Sequence, residues 1–187
     1  MPAHLETCLP QHDHKGPPRA LVLLRFAAAN DPRYWVYAEA RADATLRGLD
    51  SFLRALWLDC CGHRSGFYAG QREHAMSVTV GQAFGASAAA LRYEYDFGST
   101  TELVGRMVNT RRGPGGQAAV RLLARNEAIA WRCADCAAPA TVVCPFCIHG
   151  DDHLFCAVHA DVHEHAAEEV YLPVVNSPRM GVCGYSG

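Results

Sequence analysis

Residues 133 to 165 read CADCAAPATVVCPFCIHGDDHLFCAVHADVHEH, and no other stretch constrains the fold as much. It holds five of the chain's nine cysteines and five of its ten histidines. Eight of them form four ordered pairs: Cys133-x2-Cys136, Cys144-x2-Cys147, Cys156-x2-His159 and His163-x1-His165. Zinc takes four ligands from cysteine thiolate and histidine nitrogen, and a CxxC knuckle turns two sulfurs onto one ion with little backbone strain. Eight donors close two tetrahedral shells, so two structural Zn2+ ions are expected.

Two pairings fit this spacing. A cross-braced arrangement gives Cys133, Cys136, Cys156 and His159 to one ion and Cys144, Cys147, His163 and His165 to the other. A sequential arrangement puts the four early cysteines on one ion and Cys156, His159 and His163, with His165 or His153, on the second. Only seven residues separate the first two knuckles, which favours cross-bracing. His159 and His163 are four apart and would share a face on a helix, which favours the sequential scheme. The spacing resembles that of B-box and RING modules, and that resemblance implies the cross-brace. Closed four-ligand sites stabilise folds, whereas catalytic zinc keeps a position for water. A redox role for the CxxC pairs calls for an exposed low-pKa thiol beside a βαβ pattern, which the sequence lacks.

A second group is DCCGH, where Cys60, Cys61 and His63 follow a helical segment. Its simplest reading is a helix end, with Gly62 stopping the helix and the cysteines packing as small hydrophobes. The sharper reading adds Cys183 and makes a third metal site. The terminal segment LPVVNSPRMGVCGYSG is apolar and stiffened by Pro173 and Pro178, so it is expected to dock back on the sheet domain and bring Cys183 to that helix end.

Charge separates the two parts of the chain. Residues 127–170 carry eight acidic residues against Arg132 alone, a balance of −7, which leaves +5 on the remainder of a chain whose net charge is −2. An acidic metal module is a poor phosphate binder. No stretch approaches the roughly 20 apolar residues that span a bilayer. ALVLLRFAAA could pass for the apolar part of a signal peptide, but Arg25 interrupts it and its upstream flank, QHDHKGPP, is only weakly cationic. An odd cysteine count with CxxC pairs and no export signal points to a reducing, cytoplasmic setting.

The first part alternates short strand patterns with one clear helix. ALVLLRF (20–26) and YWVYAEA (34–40), separated by the turn residues Asn30, Asp31 and Pro32, predict a β-hairpin. Leu46, Leu49, Leu53, Leu56 and Trp57 recur at helical spacing over 45–58, with Asp43 or Thr45 able to cap the start. GFYA (66–69) reads as a strand, and 75–90 is ambiguous. LRYEYDF (91–97) alternates, with Leu91, Tyr93, Tyr95 and Phe97 on one side and Arg92, Glu94 and Asp96 on the other. TELVGRMVN (101–109) returns as its partner, RRGPGG is a loop, and AVRLLA (119–124) is a further strand or short helix. Residues 1–19, which include His12 and His14, read as a loose tail.

The order of these motifs, with YW in the second strand, TLRGLDSFLRALW in the helix, CGHRSGFY after it and then YEYDFGSTTEL, resembles the plasmid pRiA4b open-reading-frame-three family over about residues 20–112. That resemblance implies an α+β fold with a mixed sheet and an association with mobile elements, and it implies no biochemical activity. Where the family follows YDFG with an acidic residue, a tryptophan and a histidine, this chain has Ser99, Thr100, Thr101, Glu102 and Leu103. A role for that histidine therefore does not carry over.

The expected architecture is α+β: a tail (1–19), a sheet domain with a packed helix (20–126), a small cross-braced two-zinc module (127–170) and a returning segment (171–187). The leading function is a non-enzymatic, zinc-stabilised module that binds a protein partner. A nucleic-acid-binding protein using Arg106, Arg111, Arg112, Arg121 and Arg125 of the sheet domain is the alternative. A metal-dependent enzyme centred on Cys60, Cys61, His63 and Cys183 comes third, because no nucleophile-base arrangement, phosphate loop or HExxH motif is visible. Glu94 and Asp96 could pair for acid-base work, but an exposed sheet face near Arg92 and Arg106 is the plainer reading.

Overall fold

The computed structural model describes residues 2–12, 16–85, 90–150, 152–168 and 170–187. His14, the side chain of His12 and residues 86–89 of the ambiguous stretch lie outside them. The chain divides into two compact units, one of residues 1–56 and 64–125, the other of residues 57–63 and 126–187.

The first unit is a seven-stranded sheet. Its strands are β1 (Pro18–Ala28), β2 (Trp35–Arg41), β3 (Ser65–Ala69), β4 (Arg72–His74), β5 (Leu91–Tyr95), β6 (Thr101–Pro114) and β7 (Val120–Arg125). They lie in the order β4-β3-β5-β6-β1-β2-β7. This is the expected α+β class. Each neighbouring pair is antiparallel, where the family resemblance implied a mixed sheet. The hairpin β1–β2 forms with Leu24 opposite Ala38 and Phe26 opposite Val36. Strand β6 runs on through Arg111, Arg112 and Gly113, a stretch expected as loop, because β1 pairs with it as far as Pro18 opposite Pro114. Gly105 is required on β6: a Cβ there would fall 2.4 Å from Cε1 of Phe26 on the facing strand.

Leu21 to Leu24 are buried without a break, which marks a strand covered on both faces. One cover is helix α1 (Pro2–Cys8) with the 3-10 turn Leu9–His12. Leu5 and Leu9, one helical turn apart, are buried with Leu23 and Tyr37. The expected loose tail is therefore corrected over these residues, since that sheet face would otherwise be bare. On the other face lie α2 (Leu46–Leu53) and α3 (Val80–Gly85), whose Phe84 meets Phe26 edge-on at 6.2 Å.

Helix α2 starts where its first N–H groups find partners. Leu46 N–H donates to the Val78 carbonyl and Arg47 N–H to that of Met76, while Gly48 N–H donates to the Thr45 hydroxyl at 3.3 Å. The regular helix is shorter than the 45–58 pattern suggested, because Arg54–Leu58 form a π-helical turn. Asp50, inside α2, is buried and accepts from Ser65 Oγ at 2.6 Å, Tyr93 Oη at 2.7 Å and Arg54 Nε at 2.9 Å. These bonds fasten the helix to β3 and β5.

The second unit has little regular structure. Strands β8 (Val142–Val143), β9 (Leu154–Phe155) and β10 (Leu172–Pro173) form a three-stranded antiparallel sheet in the order β10-β8-β9, followed in chain order after β9 by the one-turn helix α4 (Ala157–Ala160). Adjacent residues of these strands serve different clusters. Phe155 packs with Cys133, Cys144, Cys156 and Ala160, whereas Val143 and Leu154 pack with Met180. A core this small relies on something besides apolar burial. Among the described residues, no helix is long and apolar enough to cross a membrane.

Candidate metal centres

Three groups of cysteine and histidine in the second unit bring four donor atoms each within 4.8 Å of one another. The first is Cys133, Cys136, Cys156 and His159, and the second is Cys144, Cys147, His163 and His165. The third is Cys60, Cys61, His63 and Cys183.

Backbone hydrogen bonds build the first two. Cys133 N–H donates to the Ala138 carbonyl, and a bridge between Arg132 and Pro139 closes the loop that carries Cys133 and Cys136. The second knuckle turns through Cys147 N–H to the Cys144 carbonyl and Gly150 N–H to that of Cys147, and Cys144 N–H is anchored on the His153 carbonyl. Strand β9 then delivers Cys156 at the start of α4, which presents His159. The helix ends at Ala160, so His163 lies beyond it and does not share its face with His159. That early stop removes the argument for the sequential pairing, and the donor atoms group in the order the cross-brace requires.

The distances suit a tetrahedron around a metal ion. With Zn–S about 2.3 Å and Zn–N about 2.0–2.1 Å, its edges are roughly 3.3–3.8 Å. In the first group His159 Nδ1 lies 3.4 Å from Cys133 Sγ and 3.3 Å from Cys156 Sγ, and the Cys136 and Cys156 sulfurs are 3.9 Å apart. In the second, Cys144 Sγ lies 3.5 Å from His165 Nδ1, Cys147 Sγ 3.4 Å from His163 Nε2, and the two histidine nitrogens are 3.2 Å apart. All nine cysteines are free, and the sulfur separations are far beyond a disulfide bond. The donor sets, three thiols with one imidazole and two thiols with two imidazoles, are those zinc prefers. The imidazole of His153, the alternative ligand of the sequential scheme, is turned away, with Nδ1 2.8 Å from the Gly150 carbonyl oxygen.

In the first cluster Cys133 and Cys156 are pushed toward the charged sulfur, while the thiol of Cys136 is raised, the N–H of Ala138 being outweighed by burial and its neighbours Cys133 and Cys156. Burial opposes ionisation of Cys133, but backbone N–H groups of Cys156, Asp135 and Cys136 point at it and bring its pKa down to about 6. Cys156 is lowered as well, first by the backbone N–H of His159. Knuckle backbones thus supply outer-sphere donors before any ion is considered.

The third group joins two distant stretches. Cys61 Sγ lies 3.5 Å from Cys183 Sγ, and His63 Nε2 3.2 Å from the same sulfur. The terminal segment meets residues 57–63 through Ser177 Oγ, which donates to the Trp57 carbonyl at 2.6 Å. Asn176 reaches back to Asn126, giving one hydrogen bond and receiving another.

Other candidates do not converge. Glu94 pairs with Arg92 at 2.8 Å on the sheet face, as expected. Asp96 departs from the predicted alternation: its φ is 64°, its carboxylate turns in to accept from Gly98 N–H, and Phe97 is left 47% exposed. Of the arginines offered for nucleic acid, Arg111 and Arg121 clamp the buried Glu39 at 2.7 and 2.8 Å, a pairing the linear order of these residues gave no sign of. Arg106 and Arg112 are exposed.

No protein-family model matches the chain, and no curated protein matches it. Among solved structures it is similar to the crystal structure of MM3350, a protein of unknown function from Methanosarcina mazei Go1, with a TM-score of 0.49 and 14% identity over 57% of this chain and 68% of that one.

Proposed function

We propose that the second unit is a cross-braced two-zinc module of B-box or RING type that serves as a non-enzymatic protein-interaction element. The observation that carries this reading is the interlocked grouping of the four ligand pairs, first with third and second with fourth. Each ion would be held by Cys133, Cys136, Cys156 and His159 or by Cys144, Cys147, His163 and His165, and a shell filled by four protein donors leaves no position for substrate. The ions supply folding energy that a core of two-residue strands lacks.

The surface supports a protein partner. Val158 within α4 and Val162 just beyond its end are 71% and 76% exposed, and Phe146 stands exposed beside the His165 ring. The balance of −7 over residues 127–170 disfavours nucleic acid on this unit and suits a partner with basic residues around an apolar centre. The first unit is read as a pRiA4b open-reading-frame-three-like sheet domain, in keeping with its motifs, and the reduced thiols fit a cytoplasmic protein.

Metal analysis of the purified chain tests the zinc assignment. Cys133→Ser removes one equivalent, and a metal content unchanged by that substitution refutes it. For the interaction role, the Val158→Asp/Val162→Asp variant keeps its zinc and loses co-purifying protein partners. Retention on heparin that weakens steeply with salt would instead move the function to the first unit's arginines.

A further inference from the structure

We propose that Cys60, Cys61, His63 and Cys183 form a third zinc site, independent of the two clusters above, that clasps the terminal segment to residues 57–63 and is the most exchangeable of the three. Its contacts, 3.5 Å between the Cys61 and Cys183 sulfurs and 3.2 Å from His63 Nε2 to Cys183 Sγ, fall close to the tetrahedral edges found in the other two groups.

Packing does not account for Cys61 and Cys183. Cysteines that serve only as small hydrophobes are buried, whereas Cys61 and Cys183 are exposed. The backbone at the site is also under constraint. Cys183 has φ of 52°, and it and Asp96 are the two residues other than glycine with positive φ among the described residues. Its neighbour Gly184 has φ of 69° and Gly62, between Cys61 and His63, has φ of 70°. A left-handed non-glycine residue persists where its surroundings over-determine it, and a shared ion does that.

Charge points the same way. Three thiolates and a neutral imidazole on a divalent ion carry a net −1. Arg179 has 0% of its surface exposed, and its Nη2 lies 3.7 Å from Cys60 Sγ. A buried guanidinium is well placed to offset that charge and to orient a ligating sulfur as an outer-sphere donor. The set of three sulfurs and one nitrogen selects a borderline-soft ion such as zinc over magnesium or calcium. Because the chain supplies all four ligands, the site is structural and not a Lewis-acid centre. Its exposure sets it apart from the other clusters, where Cys133, Cys144 and Cys156 are buried.

The test is made on the full chain, using zinc and a chromogenic chelator. Three zinc per chain are expected, one equivalent leaving ahead of the other two, and Cys183→Ser or Cys61→Ser lowers the content to two. In the unsubstituted, zinc-loaded chain, alkylation read by peptide mass spectrometry should find Cys61 and Cys183 protected, with protection lost in the fast phase of chelation. Zinc content that Cys61→Ser and Cys183→Ser both leave unchanged, or alkylation of these two thiols at the same rate with and without zinc, overturns the proposal. Zinc content that Cys133→Ser leaves unchanged would overturn the paired-cluster reading and leave this one standing.

Discussion

Asp50 shows how much one side chain can decide. Its carboxylate takes hydrogen bonds from a helix neighbour and from two strands, and it is buried. Burial and the nearby Asp50 carboxylate hold the Tyr93 hydroxyl in its protonated form, so it remains a donor over the whole working range of pH. Asp50→Ala takes one acceptor from Arg54, Ser65 and Tyr93 together and is expected to cost about 3–5 kcal/mol in urea unfolding. Tyr93→Phe removes a single bond and should cost about 1–2 kcal/mol. Nothing in the linear sequence marks Asp50 for this role, because its partners Ser65 and Tyr93 lie 15 and 43 positions away. The residues able to hold metal were legible for the opposite reason: thiol and imidazole chemistry at knuckle spacing has few other uses.

At the scale of elements, local patterns were read well wherever local forces decide. The β1–β2 hairpin, the start of α2 and the buried side of β5 follow from turn residues, a cap and strict alternation. Thr45→Ala should therefore destabilise the first unit by about 1 kcal/mol through its effect on α2, measured by denaturant unfolding. Elements that depend on a distant partner were missed. The extension of β6 exists because β1 offers it a ladder, and α1 exists because Leu23 and Tyr37 need a cover. The expected continuation of β5 to Phe97 fails because Asp96 turns the chain with its own carboxylate.

On the scale of the molecule, the two units rest on different sources of stability. The first has a sheet covered on both faces, and the second has two-residue strands around clusters of thiols and imidazoles. Chelation of the full chain should raise amide hydrogen exchange throughout residues 126–187 and leave the β1–β2 and β5–β6 ladders protected. Acid should act like the chelator. Every ligand must be deprotonated to bind, so affinity falls as pH falls, and the metal content of the second unit should drop before the sheet unfolds.

The sequence by itself determined the α+β class, the hairpin, the principal helix and the residues able to hold metal, because each follows from periodicity, capping or side-chain chemistry within a short window. Only the tertiary structure decided which donors stand together. The end of α4 at Ala160 parts His163 from His159, and the bonds of Ser177 and Asn176 carry Cys183 back to Cys61 and His63. Convergence across 120 residues depends on the closure of long loops, so the apolar terminal segment could suggest the return of Cys183 but its spacing could not fix it.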